Sequence, residues 1–269
     1  MSQARAARAA IREPLLVEER RRRIMEALKT APRVTVAELA SRFRVSTVTI
    51  RADLRALGQA GSLVRAHGGA VPISDDDADL PIAVKKSLRH AEKLRIGERA
   101  AQLIGPDETI ILDSGTTTVE IARVLRRSLV TGLTVVTNAL NVAVELATAS
   151  RVRVMMLGGV LRPPSRSFVG PEAERTLADM HADRLFLGVD GFDLAGGLTT
   201  PDPLEAFLNG MMIAVSTEVV VVADSTKFGR RSLSRIAAVD AVRRVVTDKG
   251  IDRRMAAAIG DRGIELITV

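Results

Sequence analysis

Short apolar runs that alternate with helical stretches constrain the fold of this 269-residue chain more than any other feature. Each run has the length and composition of a β-strand. The six runs are Thr109–Asp113, Leu133–Thr137, Val152–Leu157, Leu185–Asp190, Val219–Asp224 and Val245–Asp248. Because strands that alternate with helices form parallel sheets, the C-terminal part of the chain is predicted to have an α/β fold with a doubly wound, mostly parallel sheet.

Positive charge is concentrated in the first quarter of the chain. Residues 1–70 contain 14 Lys and Arg against 6 Asp and Glu, whereas the remainder contains 25 against 26. Lysine and arginine displace condensed counterions from a phosphate backbone, so a basic segment on a near-neutral body indicates a polyanion partner. A solvated charged face is the alternative interpretation of the charge alone.

Composition excludes several kinds of chemistry. The chain has no cysteine, which excludes disulfides, thiolate metal sites and a thiol nucleophile. Its three histidines, His67, His90 and His181, lie far apart in sequence, so we expect no metal and no cofactor. No apolar run approaches the roughly 20 residues that span a bilayer, and a soluble, cytoplasmic protein without a membrane partner is therefore expected.

Residues 18–71 are predicted to form a winged helix-turn-helix domain, preceded by a mobile basic arm over residues 1–17. An apolar face over residues 18–29 indicates a first helix. Thr35 and Glu38 have the spacing of a capping box, which marks the start of a second, short helix. A third helix and a β-hairpin wing complete the arrangement by which a recognition helix enters a DNA major groove.

The third helix is the predicted recognition helix. Ser46 is placed to cap it, and Ile50, Leu54 and Leu57 recur with helical spacing as its buried stripe. Serine and threonine on the opposite face suit phosphate or base-edge contacts, and arginine there can bond guanine or clamp phosphate. With the wing, the predicted DNA-binding residues are Ser46, Thr47, Val48, Thr49, Arg51, Arg55, Arg65 and His67. The alternative is a solvated helix face, with His67 an ordinary polar surface residue.

Residues 72–84 are predicted to be a linker because they contain Pro72, Pro81 and an acidic run with little to bury. A single helix over residues 85–104 is expected next, and residues 85–269 form the predicted second domain. In doubly wound sheets, ligands bind beyond the C-terminal ends of the strands.

Polar residues follow several of the predicted strands. The loop over residues 113–118 lies between a strand and a helix, so its amides, hydroxyls and the positive helix terminus suit a phosphate. Lys227 can neutralise a phosphate, while Asp113, Asn138 and Asp190 can bond sugar hydroxyls. Helix capping is the alternative role for any one of these residues alone.

Motifs along most of the chain resemble the DeoR family of bacterial repressors. They are V-S-T-V-T-I-R-A-D-L over residues 45–54, R-A-H-G-G-A-V over 65–71, D-S-G-T-T-T over 113–118, V-V-T-N over 135–138, L-G-G over 157–159, G-V-D-G over 188–191 and A-D-S-T-K-F-G over 223–229. The resemblance implies a sensor domain related to ribose-5-phosphate isomerase that binds phosphorylated sugars as inducers. The predicted effector-binding residues are Asp113, Ser114, Gly115, Thr116, Thr117, Asn138, Gly158, Asp190 and Lys227.

The chain departs from the related patterns at a few positions. The family commonly has a second arginine at the position of Ala52, so one expected DNA contact is absent here. The isomerases have an acidic residue at the position of Gly191, so no catalytic residue and no enzyme activity are expected for this chain. Many family members have a lysine near Asn209. Here residues 205–209 and 165–170 resemble the subgroup that represses N-acetylgalactosamine catabolism.

These features predict a sequence-specific transcriptional regulator, acting as a repressor, of a sugar or amino-sugar catabolic operon. A homo-oligomer, dimer or tetramer, would hold double-stranded operator DNA and leave it when a phosphorylated sugar or amino sugar binds. One alternative is a phosphosugar isomerase with an accessory DNA-binding domain. Another is a nonspecific nucleic-acid-binding protein, although Phe43 is the only aromatic residue in the basic segment and offers no stacking platform.

Overall fold

The chain divides into two compact units, residues 1–75 and 76–269. The computed structural model describes residues 16–31, 33–59, 62–66, 68–71 and 79–269. The predicted arm lies outside these residues except for Leu16 and Val17, and the exact domain boundaries stay predictions. Within the part of the chain described, no helix is both long enough and apolar enough to cross a membrane.

The first unit is a winged helix-turn-helix. Its elements are α1 (Val17–Thr30), β1 (Val34–Thr35), α2 (Val36–Phe43), α3 (Thr47–Gln59), β2 (Val64–Ala66) and β3 (Gly69–Val71). The strands pair antiparallel in the order β1-β3-β2. The capping box at Thr35 and Glu38 is confirmed, because each residue's side chain accepts a hydrogen bond from the other's backbone N–H. Arg44, with φ of 55°, makes the tight turn between α2 and α3.

The second unit has an α/β fold. Its elements are α4 (Ile82–Ser87), α5 (His90–Ala101), β4 (Thr109–Leu112), α6 (Thr118–Leu125), β5 (Leu133–Thr137), α7 (Leu140–Leu146), β6 (Val152–Met156), β7 (Val160–Arg162), β8 (Ser167–Val169), α8 (Pro171–Ala178), β9 (Ala182–Leu187), β10 (Gly191–Asp193), β11 (Gly197–Thr200), α9 (Pro203–Ala214), β12 (Ser216–Val222), β13 (Ser234–Ala237), β14 (Arg244–Thr247), α10 (Arg253–Gly260) and β15 (Glu265–Thr268). Two 3₁₀ turns, Ser225–Lys227 and Val239–Ala241, lie in its connections.

A parallel sheet forms the centre of this unit, with strands in the order β6-β5-β4-β9-β12-β14-β15. The predicted doubly wound, mostly parallel sheet is therefore confirmed. β15 joins one edge of the sheet and was not among the six predicted strands. Two smaller antiparallel groups, β7-β8 and β10-β11-β13, account for the remaining strands described.

Both faces of the parallel sheet are buried. Ile110 and Leu112 of β4 pack in the cluster that contains the apolar residues of α5, α6 and α7. Ile111, between them, packs in the cluster that contains those of α8, α9 and α10. Because successive strand residues point to opposite faces, the continuous apolar run in the sequence is explained by helices on both sides.

The single helix predicted over residues 85–104 is wrong. α4 ends at Ser87, α5 begins at His90, and Arg89 between them has a left-handed backbone with φ of 50°. Tertiary contacts override the helical spacing here. The ammonium of Lys93 donates to the backbone carbonyl of Lys85 at 2.6 Å, which would serve as a helix acceptor if α4 continued.

Candidate DNA-binding face and effector site

Helix α3 presents the predicted recognition face to solvent. Thr47, Val48, Arg51 and Arg55 are exposed, whereas Ile50, Leu54 and Leu57 are buried. The exposed apolar side chain of Val48, with 70% of its surface accessible, is of the kind that contacts a thymine methyl group in a major groove.

Ser46 and Thr49 form the N-terminal cap of α3. The Thr49 N–H donates to the Ser46 hydroxyl at 3.1 Å, and the two hydroxyl oxygens lie 2.9 Å apart. The predicted capping role of Ser46 is therefore confirmed. An oxygen at this position still has lone pairs and a rotatable hydrogen, so capping does not exclude a phosphate contact.

A buried ion pair that the sequence analysis missed holds α1 against α3. Asp53, only 2% exposed, accepts from Arg20 Nε at 2.5 Å and from Arg21 Nε at 3.2 Å. The pair fixes the direction in which α3 presents its exposed face. Asp53 lies on the same helical face as the apolar residues Ile50 and Leu54, and a charged residue on a buried face indicates a buried partner of opposite charge.

The wing forms as predicted, and its two predicted DNA contacts lie outside the described residues. Arg65 lies in β2, and its side chain is outside the described part of the structure, as is the whole of His67. Their contacts with DNA stay predictions.

Several of the predicted effector residues lie where the sheet changes its winding direction. From β4 the chain proceeds to β5 and β6 on one side, and from β9 it proceeds to β12 and β14 on the other. In doubly wound folds the crevice between the loops that follow the two strands at this switch point is the usual ligand site. Asp113 follows β4, and its Oδ2 accepts from the Gly188 N–H after β9 at 2.9 Å.

Asp113 is the most perturbed acid in this crevice. Its side chain is 3% exposed, and among the described residues Oδ1 is buried with no hydrogen-bond partner. Burial raises the pKa of the Asp113 carboxyl well above its usual range, although the hydrogen bond from Gly188 acts in the opposite direction. A protonated carboxyl can donate as well as accept, which suits a sugar hydroxyl.

Hydrogen bonds within the loop over residues 113–118 already use some of its polar groups. The Thr118 hydroxyl donates to the Asp113 carbonyl at 2.9 Å and accepts from the Gly115 N–H at 2.9 Å. The Gly115 amide is therefore already used. Ser114 and Thr116 are partly exposed, Thr117 is buried, and the first N–H groups of α6 have no acceptor within the helix.

Three lysines surround Asp190, of which the sequence analysis named only Lys227. Lys85 Nζ lies 2.7 Å from Asp190 Oδ1, and Lys227 Nζ lies 3.9 Å from the same oxygen. Lys93 is 4% exposed, and burial lowers its pKa to about 8, while nearby Asp224 acts to raise it. The break between α4 and α5 places Lys85 here, so helical spacing alone could not identify it.

Asn138 and two residues of α9 supply further buried polar groups. The Asn138 Nδ2 group donates to the Phe168 carbonyl at 3.2 Å, whereas the Oδ1 atoms of Asn138 and Asn209 are buried without a partner among the described residues. Glu205 is buried and accepts from the Ser167 hydroxyl at 2.6 Å. Asn138 and Glu205 each bond to a residue of β8, and Glu205 and Asn209 lie on α9.

Gly158 follows β6, the edge strand two places from β4. Apart from its own residue and its chain neighbours, no described atom lies within 4 Å of where its Cβ would be. Its predicted role in effector binding stays a prediction.

No side chain fits at Gly191. A Cβ there would lie 2.5 Å from the Thr199 hydroxyl oxygen and 2.6 Å from the Arg230 carbonyl oxygen. Because β11 and the Arg230 backbone approach so closely, the backbone excludes an acidic residue at the position where the isomerases are expected to have one.

An exposed recognition helix in one unit and a charged crevice at the switch point of the other define a DNA-binding transcriptional regulator with a sensor domain. Family models match both units: the DeoR-like helix-turn-helix domain over residues 20–76 and the DeoR C terminal sensor domain over residues 88–249. The chain belongs to the DeoR family.

Similar proteins are named as regulators rather than enzymes. The chain is 41% identical to a protein of Escherichia coli O157:H7 provisionally named an aga operon transcriptional repressor, over 93% of each chain. It is 36% identical to the transcriptional repressor AccR of Agrobacterium fabrum, over 87% of this chain and 90% of that protein. The predicted resemblance to the family and its N-acetylgalactosamine subgroup is confirmed, and so is the prediction that the chain is not an enzyme.

Solved structures that match include ribose 5 phosphate isomerase A from Neisseria gonorrhoeae. The match has a TM-score of 0.39 and 16% sequence identity, and it covers 54% of this chain and 55% of that one.

Proposed function

We propose that this regulator represses a sugar or amino-sugar catabolic operon and leaves its operator when a phosphorylated sugar occupies the switch-point crevice. The observation that carries the proposal is the meeting of an anion-binding loop, a set of lysines and buried polar oxygens without partners. A sugar phosphate has the complementary groups, an anion at one end and hydroxyls at the other.

The phosphate is proposed to bind at the start of α6, between Thr116 and Thr117 on one side and Lys227 on the other. Helix N-termini stabilise anions because their first N–H groups are unpaired and the helix dipole is positive there. The sugar hydroxyls would then reach Asp113, Asn138 and Asp190, whose oxygens lie after neighbouring strands of the sheet. The operon named for the Escherichia coli relative favours an amino sugar or a related hexose phosphate.

For DNA, we propose that Thr47, Val48, Arg51 and Arg55 read the major groove while Ser46 and Thr49 approach the backbone. A single winged domain buries little DNA surface, so a dimer or tetramer on repeated or palindromic half-sites is proposed as the binding species.

Binding of the full-length protein to the DNA upstream of its own gene tests both parts at fixed salt. Hexose 6-phosphates and amino-sugar 6-phosphates are added in turn, each paired with the unphosphorylated sugar as its control. The proposal expects one phosphorylated compound to release the DNA and its unphosphorylated control to leave it bound. Tight DNA binding that no phosphorylated sugar affects would overturn the effector assignment and leave the regulator standing.

A matched pair of variants tests the recognition face. Arg51→Ala is expected to lower operator affinity by about 5- to 150-fold and to weaken the preference over scrambled DNA, because a bidentate base contact is worth about 1–3 kcal/mol. Arg22→Ala, which truncates an exposed side chain of α1, removes the same charge outside α3. Equal losses in the two variants, with unchanged sequence preference, would show that Arg51 contributes charge alone.

A further inference from the structure

The exposed face of α9 carries no charge. Leu204, Phe207, Met211 and Ala214 recur along it at intervals of three, four and three residues. Leu204 and Phe207 keep 52% and 58% of their surface accessible, Ala214 is exposed, and Met211 is partly exposed. Glu205 is the one charged residue of this helix, and it is buried. A helix that turns an apolar stripe to solvent in this way is expected to be covered by a partner.

The neighbouring helix α8 has an ordinary polar surface. It packs against α9 and exposes Glu172 and Arg175, which pair with each other at 3.4 Å. Protein interfaces have a polar rim of this kind around an apolar centre. The stripe of α9 therefore has both the apolar residues of an interface centre and charged residues beside it.

Gly210 lies next to the stripe, one helical turn after Phe207, and the packing of this chain does not require a glycine there. Among the described atoms, a Cβ at Gly210 would meet only the Ile236 carbonyl oxygen, at the ordinary contact distance of 3.5 Å. Gly97 in α5 is different, because a Cβ there would lie 2.6 Å from the Glu120 Cβ. Since glycine destabilises a helix relative to alanine, the room beside Gly210 is a second indication that another backbone approaches this face.

The spacing of the stripe is that of a seam between two packed helices. If a two-fold axis relates two copies, an antiparallel pair of α9 helices places Phe207 opposite Met211, and a thioether beside an aromatic ring is a favourable contact. Leu204 then lies opposite Ala214, so that a large side chain faces a small one. A parallel pair would instead set Phe207 against Phe207 and Ala214 against Ala214. The stripe is therefore self-complementary in the antiparallel arrangement.

We propose that α9 packs antiparallel against α9 of a second copy and forms the centre of the interface through which this regulator associates with itself. A second copy fits because its stripe has the matching spacing and, like the first, has no charge that burial would leave unpaired. This inference rests on the proposed function in one respect, the binding of DNA as a dimer or tetramer. It adds the surface that holds the copies together.

Sedimentation velocity of the full-length protein over a range of concentrations tests this interface. Phe207→Glu is expected to halve the mass of the assembly where the wild type is fully associated, because the variant buries a charge in an apolar contact. Phe207→Ala is expected to raise the dissociation constant by about thirtyfold or more, the effect of truncating a hot-spot residue. Val144→Glu is the matched control, because Val144 is 66% exposed and lies on α7, and it is expected to associate like the wild type. Far-UV circular dichroism checks that each variant is folded.

Gly210→Ala tests the room beside the stripe. Inside the monomer the added methyl group has space and improves helix propensity, so the variant is expected to fold at least as stably as the wild type. Its self-association is expected to weaken about fivefold or more, because the methyl group overfills the contact between the two helices.

Cross-linking tests the direction of the helices without disrupting them. The chain has no cysteine, so Phe207→Cys and Met211→Cys each introduce a single thiol. When the two variants are co-expressed and treated with a short bismaleimide, the mixed pair is expected to cross-link more completely than either variant alone. Val144→Cys is expected to give no cross-linked dimer.

The outcomes separate this interface from the function on which it rests. Wild-type association in Phe207→Glu and Phe207→Ala would overturn the interface, with the stripe then covered by a different partner and the dimer or tetramer still standing. Loss of association without the mixed cross-link would overturn the antiparallel packing of α9. A wild type that stays monomeric both in solution and on operator DNA would refute the oligomer itself, and the interface with it.

Discussion

At the scale of single residues, the two carboxyl oxygens of Asp113 differ in their contacts. Its Oδ2 holds the Gly188 N–H, and its Oδ1 is buried without a partner among the described residues. Because burial raises the pKa of this carboxyl, the neutral acid is the form that folding favours. Asparagine has nearly the same shape and is neutral at every pH, so it mimics that form.

We therefore predict that Asp113→Asn matches the wild type in stability below the unfolded-state pKa of the carboxyl and is more stable than the wild type at neutral pH, because the wild type must keep a buried acid protonated there. Asp113→Ala is expected to lose about 1–3 kcal/mol by leaving the Gly188 N–H unsatisfied. Because the pKa of this carboxyl is higher in the folded state, the stability that it contributes is fully present below the unfolded-state pKa. That stability is lost as pH rises through the folded-state pKa. The wild type should thus lose stability relative to Asp113→Asn as pH increases in urea unfolding. An asparagine variant as unstable as the alanine variant would show that the ionised carboxylate is required.

Lys93 titrates in the opposite sense. Its pKa is lowered to about 8 by burial, with Lys227 and Lys85 acting in the same direction and Asp224 and Asp190 against it. The folded state releases this proton at a lower pH than the unfolded state, in which the pKa of the lysine stays near 10.5. Stability attributable to Lys93 is therefore present above the unfolded pKa and is lost as pH falls through about 8.

We predict that the wild type gains stability relative to Lys93→Met between pH 8 and 10, with a slope approaching about 1.4 kcal/mol per pH unit. Urea unfolding of both proteins at half-unit intervals measures this difference, and other titrating groups cancel in the comparison. A difference that stays flat from pH 7 to 10 would mean that Lys93 titrates as an ordinary exposed lysine.

Some residues of the candidate site could be predicted from the sequence, and others could not. Asp113 and Asp190 were predicted because each directly follows an apolar strand, and strand ends meet at one edge of a parallel sheet. Lys85 was placed inside a predicted helix, and nothing local indicates that the helix breaks at Arg89. Its partner Asp190 is 105 positions away, so only the tertiary fold reveals the pair.

At the scale of elements, α1 is the support on which α3 depends. Arg20 and Arg21 meet at Asp53, and removal of one partner from a buried ion pair leaves an uncompensated charge that costs about 3–5 kcal/mol. We predict that Asp53→Ala unfolds the DNA-binding unit at a lower temperature and abolishes operator binding. Glu26→Ala, which removes only an exposed contact with Arg22 at 3.9 Å, should leave both unchanged.

Circular dichroism melting and operator binding measure the two effects of Asp53→Ala. An Asp53→Ala protein that melts like the wild type would refute the role of the pair in stability. If that protein kept its melting temperature and still lost operator binding, the pair would orient α3 without stabilising the unit.

Elements with strong local signals were predictable, and elements set by distant contacts were not. The capping box at Thr35 fixed the start of α2 from four residues of sequence. β15 was missed because its burial is only partial at the edge of the sheet, which weakens the apolar run that marks a strand. The division between α4 and α5 depends on the contacts of Lys93 and Lys85 and has no local signal.

At the scale of the whole molecule, the chain separates a basic DNA-binding unit from a sensor unit of nearly balanced charge. If a sugar phosphate releases the operator, the two binding equilibria are linked, and each ligand must weaken the other by the same factor. This requirement does not depend on how the units are arranged, so it tests the regulator as a complete system.

We predict that a saturating operator duplex raises the Kd of the effector by the factor by which the effector raises the Kd of the operator, about 5–150-fold. Calorimetric titration with and without the duplex measures the first factor, and operator titration with and without effector measures the second. A scrambled duplex of equal length is the control for salt and phosphate contacts. Unequal factors in the wild type would show that a third equilibrium, such as a change in subunit number, takes part in release.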